Sequence, residues 1–140
     1  MVALCIATGA LAQFSKPEDA IRYRKSVMVL IGQHFKALGA VVKGKVAYDP
    51  QAFAADAELV QTLATLPWEA ALVPGTDKGD TTMNSEVLAE KDDFMENARA
   101  FEAATTKLAE SARTGTVDAA KGPFNEVAQN CKACHKRFRK

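Results

Sequence analysis

Near the end of the chain, Asn130-Cys131-Lys132-Ala133-Cys134-His135 sets two thiols three residues apart with an imidazole next door. On a helix these three side chains share one side, because residues three and four apart lie one above another. Two sulfurs so placed can bond the two vinyl groups of a porphyrin while His135, one turn past Cys131, reaches the iron. A zinc site needs further ligands, and the remaining candidates, Cys5 and His34, lie far off in the sequence. A thioredoxin-like dithiol opens a helix after a strand, whereas this pair closes a helical stretch. One covalent haem c, held through Cys131 and Cys134 with His135 on its metal, is therefore the expected cofactor.

The place of this motif constrains the metal's other side. Only Lys136, Arg137, Phe138, Arg139 and Lys140 follow His135, so no later Met or His can approach the iron. It is five-coordinate, or its sixth ligand comes from the front of the chain.

The first helix to do so should begin near Lys16-Pro17-Glu18-Asp19, with Pro suited to a first turn and acids opposing the dipole. Its apolar stripe runs Ala20, Ile21, Val27, Met28, Ile31, Phe35 and Leu38, and Arg24 falls within it. A guanidinium on an inward face is costly unless an anion meets it, and a haem carries two carboxylates, so Arg24 is expected to pair with a propionate. Met28, one turn on, is the candidate for the distal side, as a lid or as a sulfur ligand. His34 lies about 120° around from Met28, off the stripe, and reads as a surface histidine.

Further along, Gly39 and Gly44 with Lys43 and Lys45 mark a loop, and Asp49-Pro50 caps a second helix that ends before Pro67. Trp68, the only Trp, is expected to pack at a bundle end, with a haem edge as a possible neighbour. The run from Pro74 to Asp80 is too rich in breakers for anything but a loop. A third helix is predicted from about Asn84 to Ala112, with Val87, Lys91, Phe94, Met95, Ala98, Phe101, Thr105 and Leu108 on one face. Thr116 can cap a fourth, kinked at Gly122-Pro123, whose stripe of Phe124, Val127, Ala128, Cys131, Cys134, His135 and Phe138 ends among basic residues. Arg139, one turn past His135, is placed near the proximal side of the haem.

Composition agrees with this. At 140 residues the chain is one domain, and its formal charge of +1 gives no reason to invoke nucleic acid. The apolar residues 1–12, MVALCIATGALA, end in a small-x-small pattern and are too short to span a bilayer. They are expected to be the remnant of a secretory signal, leaving a domain of residues 13–140 with its two cysteines occupied by thioether bonds, which suits a periplasm. The fold class expected is all-α, an antiparallel up-down-up-down four-helix bundle with covalently bound haem c. In it the start of the first helix lies beside the end of the last, bringing Arg24 and Met28 to the level of His135.

With Cys-Lys-Ala-Cys-His at its end and Arg24 and Met28 on its first helix, the chain resembles cytochrome c′, a class II c-type cytochrome. The resemblance spans residues 13–140. It includes Gln13-Phe14, Pro17 to Ala20, Tyr23-Arg24, Val42-Lys43-Gly44, Tyr48-Asp49, Leu66-Pro67-Trp68, Pro74-Gly75-Thr76 and Gly79-Asp80. It implies a periplasmic homodimer with high-spin, five-coordinate iron. By position Arg24, Lys25 and Asp80 match family residues that contact the haem, Arg139 matches the basic residue beside the proximal His, and Met28 stands at the distal position. The function implied is binding of the diatomic gases NO and CO, with electrons exchanged with an unidentified redox partner protein. The alternative is a low-spin electron-transfer cytochrome with Met28 as sixth ligand. Neither is an enzyme, and no paired carboxylates, nucleophile-base set or phosphate loop stands out.

Overall fold

The computed structural model describes residues 13–140, so the expected signal remnant at 1–12 and Cys5 lie outside the described residues. The chain is helical: α1 (Pro17–Val42), α2 (Pro50–Leu63), the short α3 (Pro67–Ala71) and α4 (Glu86–Ala89), then α5 (Lys91–Ala112) and α6 (Val117–Phe138). The four long helices form the bundle.

Local chemistry sets most of the ends. Pro17 starts α1 with Glu18 and Asp19 in its first turn. Asp49 caps α2, its carboxylate accepting from the amides of Gln51 at 2.9 Å and Ala52 at 3.0 Å. Thr116 caps α6 through the amide of Ala119. Inside, Leu38, Val60, Leu108 and Val127 are almost wholly excluded from water. Burying an aliphatic side chain of this kind stabilises by roughly 1.5–3 kcal/mol, so the inward stripes hold the bundle together.

Three boundaries depart from expectation. α1 runs through Gly39 to Val42, because Gly39 is buried where a Cβ would stand 3.0 Å from Cζ of Phe124. That glycine permits close packing of helices and ends nothing; Phe124 in turn stacks on Phe35 with ring centroids 4.4 Å apart. α6 passes through Gly122-Pro123 unbroken, so the expected kink does not divide it. The predicted third helix is two: Glu90, at φ −121° and ψ 53°, leaves the helical region between α4 and α5. Its carboxylate is drawn 2.6 Å from Nη2 of Arg137, which also binds Asp93 at 2.6 Å, so the corner is tied to the end of α6. Lys91, expected on the inward stripe, is exposed at that corner.

The breaker-rich segment is a loop as read, with Gly75 at φ +87° and Gly79 at φ +79°, where a Cβ would be strained. Its continuation straps the chain's end. Asn84 N donates to the Phe138 carbonyl at 3.0 Å and Lys140 N to the Thr82 carbonyl at 2.8 Å, an antiparallel bridge of Met83 with Arg139. Asn84 adds a side-chain bond to the Arg137 carbonyl at 2.8 Å and accepts from the Glu86 amide at 3.0 Å. Asn84→Ala removes both, and a loss of about 1–2 kcal/mol is expected. A lower urea midpoint with unchanged m would show it.

Candidate haem site

Where α1 and α6 come together, with α3 and α5 behind them, they enclose a cavity of about 480 Å³, within the range of pockets that take large organic ligands. Cys131, Cys134 and His135 of α6 line it, and so do Arg24, Lys25 and Met28 of α1 and Arg139 beyond α6. Seven of the eight residues expected at the site thus border one space. Asp80 does not border it; its exposed carboxylate sits just outside, 2.7 Å from Nζ of Lys25. Lys25 is held across the rim in this way, its ammonium also donating to the Asp80 carbonyl at 3.1 Å.

The walls are aromatic and aliphatic. Trp68 lies in the core, its ring set edge-on to Phe94 at 5.9 Å and Phe101 at 6.0 Å, and all three line the cavity. It is therefore a wall of the site, the second of the two places the sequence left open for it. His34 borders no part of the cavity; half-buried, its Nδ1 lies 2.8 Å from Oδ1 of Asp56 between α1 and α2.

The cavity's charges are of one sign. Arg24, Lys25 and Arg139 line it, and among the described residues no Asp or Glu does. Arg24 is buried, and its Nη2 donates to Oγ1 of Thr81 at 2.7 Å and to the Thr76 carbonyl at 3.3 Å. Its Nη1 is buried without any acceptor. Burial pushes the Arg24 pKa down from its ordinary value, but arginine titrates so high that the cation persists. A buried cation with a spare donor beside a cationic, apolar cavity calls for an anion that comes with an apolar body. Trp68 Nε1, which also lines the cavity, is likewise buried and unpartnered. A haem, apolar across its ring and carrying two carboxylates, fits this donor set.

On the α6 side, burial and then the neighbouring Cys134 push the Cys131 thiol up to about 11, and burial raises Cys134 as well. Both are therefore thiols at neutral pH. Partial burial, with Arg139 adding its charge, holds the His135 imidazole below its usual value. It is neutral at pH 7, the form that binds a metal. Arg139 is held by its Nε donating to Oγ1 of Thr82 at 3.2 Å.

Several wall residues escaped the sequence reading. Thr81, the partner of Arg24, and Met83, buried beside it, come from the loop that no periodic pattern marks.

A four-helix bundle whose core cavity bears Cys-x-x-Cys-His on one wall and a buried, half-satisfied arginine on another defines a c-type haem protein. Comparison with known proteins narrows the class. Residues 19–139 match the family described as Cytochrome C'. The chain is 40% identical to the cytochrome c' of Alcaligenes xylosoxydans xylosoxydans over 91% of its length and 98% of the relative's. Cytochrome c prime from Shewanella frigidimarina superposes with a TM-score of 0.87 at 34% identity, covering 91% of this chain and 98% of that one. A nitric oxide complex of a mutant cytochrome c prime from Alcaligenes xylosoxidans does so with a TM-score of 0.85 at 38% identity, over 91% and 98% of the two chains. The chain belongs to the cytochrome c′ family, and haem c is its cofactor.

Proposed function

We propose that this chain is a periplasmic haem protein that binds small neutral diatomics, NO and CO, at an iron held by His135. Cys131 and Cys134 carry the thioether bonds, and Arg24 binds a propionate, with Lys25, Asp80 and Arg139 around the rim. The observation that carries the reading is the α1 wall of the cavity, where Met28, Ile31 and Phe35 present thioether and hydrocarbon. These three side chains offer no hydrogen bond to an anion or to water, and a neutral diatomic needs none.

When bound, the haem would supply an iron able to take a diatomic ligand and to change its charge by one electron. The rest of the work falls to side chains. His135, kept from taking up a proton by burial and then by the charge of Arg139, would offer its lone pair to the iron. Met28, half-buried, excludes water and yields to a small ligand because its unbranched thioether repacks at little cost. Arg24, anchored by donating to Oγ1 of Thr81 and the Thr76 carbonyl, would hold a propionate in a fixed place.

The family supports three further parts of the reading: an electron exchange with a redox partner, no turnover chemistry of its own, and a homodimer. Exposed Val29 at 70% and Leu30 at 47% on α1, with Leu59 on α2, give the homodimer an apolar face. No described helix is long and apolar enough to cross a membrane.

The ferric protein should give a high-spin absorption and EPR spectrum, and the ferrous protein should bind CO. Met28→Ala should then raise the CO association rate about tenfold, a barrier lower by about 1.4 kcal/mol, without changing the spin state. A low-spin ferric spectrum with a methionine-to-iron charge-transfer band, indifferent to CO, would instead make Met28 a ligand and the protein an electron carrier.

A further inference from the structure

Gly32 stands in the interior of α1, one turn beyond Met28, and it lines the haem cavity. Glycine is the least favourable residue for a helix interior short of proline, so its presence there asks for a reason. Conformation supplies none, because its φ is not positive. Packing within the chain supplies none either. A Cβ built on Gly32 would meet nothing within 4 Å, in contrast to Gly39, where it would press on Phe124 at 3.0 Å.

What remains is the gap itself. Met28, Ile31, Gly32 and Phe35 follow one another along the cavity side of α1, and the first, second and fourth fill it with side chains. Gly32 alone leaves bare backbone. It is also exposed to solvent while Ile31 beside it is buried, so it marks a place where the cavity meets water.

We propose that Gly32 is the sill of the portal through which a diatomic gas crosses α1 into the haem cavity, passing between Met28 and Phe35. The inference rests on the gas-binding reading and adds to it the route of entry. A residue that touches the ligand only in passage raises or lowers one barrier for both directions. Entry and escape then slow by the same factor, and affinity stays where it was.

The test is flash photolysis of the ferrous CO complex of the holoprotein, with Gly32→Ala and Gly32→Leu. The leucine variant should slow CO association and dissociation alike, by about tenfold each, with alanine intermediate, since tenfold corresponds to about 1.4 kcal/mol of added barrier. The Kd and the Soret spectrum should be unchanged, and the fraction of CO that rebinds before escaping should rise. Because alanine is the better helix former, the thermal midpoint of the haem-free chain should rise in Gly32→Ala, which also certifies folding. Unchanged rates in Gly32→Leu would overturn the proposal, since the route would then lie elsewhere. A changed Kd or spectrum would overturn it too, by showing that position 32 touches the haem or the bound ligand. If the unsubstituted protein binds no CO, the gas-binding reading itself fails, and with it the portal.

Discussion

Replacing both Cys131 and Cys134 by alanine should take covalent haem from essentially every molecule to none. In the unsubstituted protein, matured with haem-attachment machinery, the thioether bonds should carry the porphyrin through a denaturing gel and into the intact mass. In the double variant nothing but His135, Arg24 and the cavity walls would hold it, and those contacts vanish on unfolding. A tethered group is present at the site at an effective concentration of order millimolar or higher, whatever the solution holds. Cut the tether and binding becomes an ordinary equilibrium, so the thermal midpoint should now climb with added haem, by about 2.7 kcal/mol of stability at one hundred times Kd. Either single variant keeps one thioether and should still carry the porphyrin when denatured. The assignment of the two cysteines is wrong if the double variant retains covalent haem, or if its midpoint ignores haem while the unsubstituted protein's mass shows none.

How far these residues could be read before the fold was known follows from the range of the forces involved. Cys131, Cys134 and His135 are neighbours along a single turn, so the sequence alone puts them on one object. Arg24 announced itself as a charge on an apolar stripe, and Pro17, Asp49 and Thr116 announced their helix ends by cap chemistry within three residues. The misreadings concern contacts made across the chain. Gly39 looks like a helix stop until Phe124 is known to lie on it, and the corner at Glu90 looks helical until Arg137 reaches it from the far end. Trp68 could be read either as a bundle-end residue or as a neighbour of the haem, and only its packing against Phe94 and Phe101 decides for the cavity wall. Thr81 is the sharpest case: a threonine in a polar loop has no pattern, yet it holds the buried guanidinium at 2.7 Å.

That guanidinium supplies the second large effect, and it should differ between two forms of the same protein. In the haem-free chain Arg24 is a buried cation with two acceptors, Oγ1 of Thr81 and the Thr76 carbonyl, and an unsatisfied Nη1. Arg24→Leu there removes a desolvated charge and takes a donor from the Thr81 hydroxyl and the Thr76 carbonyl. The two effects oppose each other, so the change should be about 1 kcal/mol or less in either direction. In the holoprotein the proposed pairing means that the same substitution would leave a propionate without its counter-charge, and about 3–5 kcal/mol of stability should be lost. The reduction potential should fall as well. A nearby cation favours the state with one more electron, and removing about 1.4 kcal/mol of that preference lowers a one-electron potential by roughly 60 mV. Arg24→Lys keeps the charge and loses the fork, so it should restore much of the potential and little of the stability. Paired urea titrations of the two forms with a spectroelectrochemical titration of the holoprotein decide the matter. Equal losses with and without haem, at an unchanged potential, would reduce Arg24 to a prop for the Thr76–Thr81 loop.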